Sequence, residues 1–96
     1  MICECNEIRV AAGAGAAFEA AFARAKPLLL RVPGCQSVEL LRRSGEPGRY
    51  QVRVGWARLE DHVNIYPATP EAGEIRALLA PLIAEADRGH YEAVPL

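Results

Sequence analysis

RYQVRVGWARLEDHVN, residues 49–64, alternates apolar and polar side chains up to a single tryptophan and then changes period. Tyr50, Val52, Val54 and Trp56 share one face, with Gln51, Arg53 and Gly55 on the other, the two-residue period of a half-buried strand. Past Trp56 the spacing becomes helical. In RLEDHVNIY (58–66), Leu59, His62, Val63 and Tyr66 fall at i, i+3, i+4 and i+7, which predicts one shared face, and Pro67 stops the segment.

Upstream of this segment, SGEPG (44–48) has hairpin-turn chemistry, so CQSVELLRR before it reads as the partner strand. From 14 to 31 the apolar residues Ala14, Ala17, Phe18, Ala21, Phe22, Ala25, Leu28 and Leu29 form one helical stripe, and VPG (32–34) ends it. Pro27 lies inside that helix and is expected to bend its last turn or tighten it toward 3₁₀ geometry. The first segment, ICECNEIRV (2–10), alternates as a strand with Ile2, Glu4, Asn6, Ile8 and Val10 on one face. Glu4 and Asn6 interrupt an otherwise apolar face. A core-facing carboxylate is costly without a partner, so the two are read either as hydrated at an open end of the sheet or as polar anchors of a pocket.

Downstream, Thr69-Pro70-Glu71 has the features of a helix start: a hydroxyl N-cap, proline in the first turn and an acid at the positive end of the dipole. The stripe Ile75, Leu78, Leu79, Leu82, Ile83, Ala86 keeps phase through Pro81, which predicts one kinked helix closed by Gly89, with HYEAV as the last strand. The order is β-α-β-β-α-β, an α+β, ferredoxin-like arrangement: a four-stranded antiparallel sheet with two helices on one face. The other face carries no helices and is either left wet or given to a partner.

The bulk properties narrow the function. Ninety-six residues leave room for one domain, residues 1–96. A net charge of −1 offers no electrostatic footprint for nucleic acid or an anionic membrane, and charges break every apolar run well short of a span of about 20 residues. MICECNEIRV carries acids and alternates, unlike a secretory signal. The three cysteines are odd in number and contain no CxxC, which points to free thiols in a reducing cytoplasm and to no metal. RNA-binding domains of this topology stack bases on first-strand aromatics, and ICECNEIRV has none. Metal-transfer domains need CxxC in the first loop, which VAAGAGAA lacks. Amino-acid-binding regulatory domains stay open.

FEAAFARAKPLLLRVPGC, VELLRRSGEPGRYQVRVGWARLEDHV and the closing HYEAV follow one another in the order and spacing of the antibiotic biosynthesis monooxygenase (ABM) family. The chain resembles that family over about residues 4–94. The resemblance implies a homodimer, a dimeric α+β barrel in which two sheets pack face to face, with a pocket in each subunit between sheet and helices. Some members oxygenate phenolic or quinol-like substrates with O₂ and neither flavin nor metal; others degrade haem, isomerise a small signalling molecule or have no known activity. Asn6 could match the first-strand asparagine of the haem-degrading branch, but its tryptophan and histidine fall on Ile65 and Ile75, and isoleucine cannot ligate iron. In the quinol-oxygenating branch Trp56 and Arg76 match, whereas Val52 replaces an asparagine and His62 a pocket tyrosine.

The expectation is therefore a cytoplasmic homodimer acting with O₂ on a small aromatic substrate, without a cofactor. His62 is the candidate general base, since imidazole titrates near neutrality. Trp56, Asn6, Glu4, Arg76 and Tyr66 are the candidate binding groups. Trp56 reads as core and as pocket wall at once, its indole N–H available to a substrate oxygen. Two other readings remain open: proton transfer on a small carbonyl compound, using the same histidine, and a non-catalytic ligand-binding dimer.

Overall fold

A computed structural model describes residues 1–96. Four strands, β1 (Ile2–Val10), β2 (Cys35–Arg42), β3 (Arg49–Trp56) and β4 (Ile83–Tyr91), form one sheet in the order β2-β3-β1-β4. All neighbours are antiparallel. Two helices, α1 (Gly15–Leu30) and α2 (Pro70–Leu79), pack on one face. This is the ferredoxin-like α+β arrangement.

The helix-facing side of the sheet follows from period-2 alternation. On β3, Tyr50, Val52, Val54 and Trp56 are all buried. The β1–β3 register sets Asn6 opposite Val52 and Glu4 opposite Val54, so the interrupted face of β1 turns inward with its neighbours. Helix α1 buries Phe18, Phe22, Ala25 and Leu29 against them. Phe18, Phe22 and Leu29 each contribute about 1.5–3 kcal/mol of burial. Pro27 sits inside α1 on its exposed face beside Ala23, so the carbonyl it leaves unpaired faces solvent. The helix then closes with i→i+3 bonds, Arg31 N–H to the Leu28 carbonyl (3.2 Å) and Val32 N–H to that of Leu29 (3.0 Å), the tightening expected beyond a proline.

Thr69 caps α2 as anticipated: its Oγ1 accepts from the Ala72 N–H at 3.3 Å and donates to the Tyr66 carbonyl at 2.7 Å. The helix does not continue through Pro81. It ends at Leu79, one 3₁₀ turn (Ala80–Leu82) follows, and Ile83 is already extended. Proline lacks the N–H that residue 77 would need and its ring clashes with that carbonyl. The free edge of β1 supplies the alternative, because residues 83–91 pair with it from Cys3 to Val10. Leu82 and Ile83 still reach the core, which is why the apolar spacing kept a helical phase, but Ala86 is an exposed strand residue opposite Ile8.

The segment after Trp56 also departs from expectation. Asp61–Ile65 form one wide π-type turn, with the Tyr66 N–H bonded to the Asp61 carbonyl, and Tyr66–Ala68 a 3₁₀ turn. Leu59 and Val63 are exposed rather than sharing an inner face with His62 and Tyr66. The residue that turns in is Asp61. Its carboxylate accepts from the Arg58 backbone N–H at 3.0 Å and pairs with the Arg58 guanidinium at 3.1 Å. Gly34, at the exit of α1, provides the space: its φ is +87°, and a Cβ there would overlap the Asp61 carboxylate. The glycine thereby seats the turn that carries His62.

Candidate functional site

Between the sheet and the helices lies a cavity of about 170 Å³, mostly apolar, walled by side chains such as Phe18, Phe22, Val52 and Ile75. Its polar lining comes from five elements: Glu4 and Asn6 of β1, His62 and Tyr66 of the two turns after β3, Arg76 of α2 and Arg88 of β4. The volume suits a small ring compound and is well below the several hundred Å³ of drug-sized sites.

Glu4 is the centre of this polar group and is only 8% exposed. One oxygen, Oε1, accepts from the Trp56 indole N–H at 3.0 Å and lies 3.3 Å from His62 Nε2. The other, Oε2, accepts from Asn6 Nδ2 at 2.7 Å. Those contacts compensate a carboxylate that burial alone would penalise heavily. Because Asn6 gives its amide N–H to a carboxylate, its Oδ1 is fixed as the free end. That oxygen is buried without any partner, the one such side-chain atom in the chain. A buried acceptor left unpaired costs about 1–3 kcal/mol, which a ligand hydroxyl would recover.

Trp56 is fully buried and sits one layer behind the cavity wall, its N–H committed to Glu4 rather than open to a ligand. Its ring supports His62 by stacking, centroids 5.2 Å apart and planes 17° from parallel. His62 Nδ1 is 2.7 Å from His90 Nε2, a histidine that cross-strand register places opposite Glu4. Burial holds the His62 imidazole below the ordinary histidine range; the Glu4 charge opposes this, and His90 and Arg88 add to the lowering. Tyr66 packs against both rings, and its hydroxyl is held above the usual tyrosine range by burial and by the Glu4 charge, with Arg76 and Arg88 pulling the other way.

The sequence matches the family described as antibiotic biosynthesis monooxygenase over residues 1–80. The chain belongs to the ABM family. A Bordetella bronchiseptica structure named for this family is 34% identical, with 98% of this chain and 97% of that one covered and a TM-score of 0.92. SnoaB, a cofactor-independent oxygenase from Streptomyces nogalater, is 25% identical over 99% of this chain and 94% of its own, with a TM-score of 0.86. A Nitrosomonas europaea protein of the same description, 19% identical over 99% and 100% of the two chains with a TM-score of 0.83, shares the fold. No curated protein matches.

Of the residues singled out in this ABM chain from sequence, Glu4, Asn6, His62, Tyr66 and Arg76 converge on one cavity, and Trp56 reaches it through Glu4. Ile75 forms apolar wall where a haem-degrading relative would need a ligand. Two residues were missed, Arg88 and His90. The β1–β4 register sets them opposite Asn6 and Glu4; the sequence reading carries Arg88 in the helix closed by Gly89 and His90 in the strand HYEAV, with no partner or register given for that strand. Their only sequence signal is the alternation of Arg88 and His90 two apart, which needs the strand to be known first.

Proposed function

We infer that this ABM chain is a cofactor-independent monooxygenase that acts with O₂ on a small phenolic or quinol-type aromatic substrate. The observation that carries the reading is the pair of buried Glu4 and half-buried His62, beside the unpaired Asn6 Oδ1, in an apolar cavity. A phenolic O–H entering beside Asn6 supplies the missing donor. Its proton then passes to the Glu4–His62 pair, with His62 as the general base that burial keeps neutral near pH 7. Arg76 and Tyr66 orient the ring from the α2 side, and Trp56 holds Glu4 and His62 in place.

Deprotonation makes the ring electron-rich enough to give one electron to O₂, and the resulting radical pair combines into a carbon-bound peroxide. Loss of the proton on that carbon breaks the O–O bond and leaves one oxygen atom in the product as a carbonyl, and the other departs as water with two protons, the one released from the substrate O–H and the one from the carbon. The protein supplies orientation, an apolar medium and the base, the last contributing about 10²–10⁴-fold. The test is oxygen consumption with a panel of naphthols, quinols and anthrones. Protein-dependent uptake that falls at least about tenfold in His62→Ala supports the reading. Absence of uptake across the panel overturns it.

We also place the chain as a homodimer joined through the open sheet face, where Met1, Leu41 and Tyr91 are exposed and a second sheet would cover them. Light scattering at micromolar concentration is expected to give twice the 10.4 kDa chain mass, and a monomer contradicts the assignment. The free thiols of Cys3, Cys5 and Cys35 fit a reducing compartment such as the cytoplasm. No helix is long and apolar enough to cross a membrane.

A further inference from the structure

Two guanidiniums stand where the cavity of about 170 Å³ opens to solvent. Arg76 of α2 and Arg88 of β4 line it and are exposed, whereas Glu4, Asn6 and Phe18 deeper inside are buried. The β1–β4 register pairs Arg88 with Asn6 on the helix-facing side of the sheet. Five other arginines are held in ion pairs with Glu85, Glu19, Glu46 or Asp61, but Arg76 and Arg88 have none. Even the carboxylate inside the same cavity does not serve them. Glu4 Oε1 is taken by the Trp56 indole and His62, and Oε2 by the Asn6 amide.

Glu4 is the only acid on the wall, so the two guanidiniums leave one positive charge uncompensated. Both act on one point of that wall: burial and the Glu4 charge raise the Tyr66 hydroxyl, and Arg76 and Arg88 each pull it down. At the buried end Asn6 Oδ1 lacks a donor, and Arg88 opposite does not supply one. The cavity therefore asks for a donor inside and an anion at its mouth. The space between is apolar, and about 150 Å³ is enough to hold a benzene ring.

We propose that Arg88, together with Arg76, is a specificity-determining residue that reads an anionic group, and that the cavity takes a single-ring hydroxybenzoate. The ligand hydroxyl donates to Asn6 Oδ1, the ring lies among Phe22, Val52 and Ile75, and the carboxylate meets the two guanidiniums. Guanidinium N–H donors come in forks that match the two oxygens of a carboxylate. A phosphate ester offers similar oxygens but carries about −1.5 to −2, more than the charge left over at the site. As a substrate assignment this rests on the oxygenase reading above, in which the carboxylate is a spectator; as a binding site it rests on the cavity alone.

The test is calorimetric titration with meta- and para-hydroxybenzoate, the matching hydroxybenzyl alcohols, and benzoate. The tighter hydroxybenzoate is expected to bind about tenfold better than its neutral alcohol, and about tenfold better than benzoate, which has no donor for Asn6. Arg88→Gln and Arg76→Gln should each narrow the preference for the acid about threefold, and the double variant should abolish it, while Arg88→Lys keeps part of it. Both side chains are exposed and unpaired, so melting curves of these variants should match wild type. Equal binding of acid and alcohol, a preference that survives the double variant, no binding of either, or tighter binding of hydroxyphenyl phosphate overturns the assignment. Oxygen uptake is read separately with dihydroxybenzoates and neutral quinols. Arginine-dependent binding with no uptake on any compound supports the anion site and rejects the oxygenase reading. Uptake on neutral quinols with no preference for the acids overturns the anion site and leaves the oxygenase standing.

Discussion

Two carboxylates hold opposite ends of β3, Glu19 through Tyr50 at its start and Glu4 through Trp56 at its end. Glu19 lies on the surface in a two-bond grip by the Arg42 guanidinium, at 2.7 and 3.3 Å, and accepts from the Tyr50 hydroxyl at 2.6 Å. The Arg42 bond, then that of Tyr50, hold its carboxyl below the usual range. Glu4 is buried, and its three partners are an indole, an amide and an imidazole that burial keeps neutral. The first cluster is saturated by a fixed cation and ties α1 to the sheet. The second has no guanidinium of its own and faces a cavity with an acceptor still unpaired beside it. Charge-matched pairing gives a clamp; neutral donors around a buried carboxylate leave it facing the cavity.

The comparison breaks most readily by mutation to the isosteric amide. Glu4→Gln keeps the volume and an oxygen for the Trp56 indole, so the fold should persist while kcat/KM for oxygen uptake falls about 100-fold. Glu19→Gln should leave uptake unchanged and lower the melting temperature by an amount that salt screens away. Similar activity losses in the two variants would show that Glu4, like Glu19, only holds the fold.

A smaller effect separates them by pH. His62 has a lowered value in the folded chain, so its contribution to stability is complete above about pH 6.5, the unfolded histidine value, and is lost as pH falls toward the lowered one. Glu19 is also lowered, so its contribution is complete above about pH 4.3 and disappears as pH falls through its folded value. Melting curves of wild type, His62→Gln and Glu19→Gln should therefore converge or diverge in two separate acid windows, the histidine window at the higher pH. A single window shared by both variants would deny His62 its buried, neutral state.

The legible part of the site was the part that violated a local pattern. Glu4 and Asn6 stand out because they sit on an apolar face of a period-2 strand, and His62 because it is a histidine beside apolar neighbours. The helical face proposed for Leu59, His62, Val63 and Tyr66 failed because the Asp61 carboxylate, seated against Gly34, widens the turn and sends Leu59 and Val63 outward. Nothing near residue 61 in sequence announces a contact with residue 34. Arg88 and His90 were missed for a related reason: the run from Ile75 to Ala86 satisfies a helical spacing, and only the vacant edge of β1 makes residues 83–91 a strand.

Sequence by itself determined β1, β2 and β3, the first helix, the Thr69-Pro70 helix start and the family resemblance, since side-chain period, capping and proline sterics act within a few residues. Tertiary structure alone decided that Glu4 would meet Trp56 and His62, that Asn6 would keep an unpaired oxygen, and that His90 would stand against His62. Those contacts join residues up to 58 positions apart, and their partners are chosen by sheet register and by competition for a strand edge, which no local window contains.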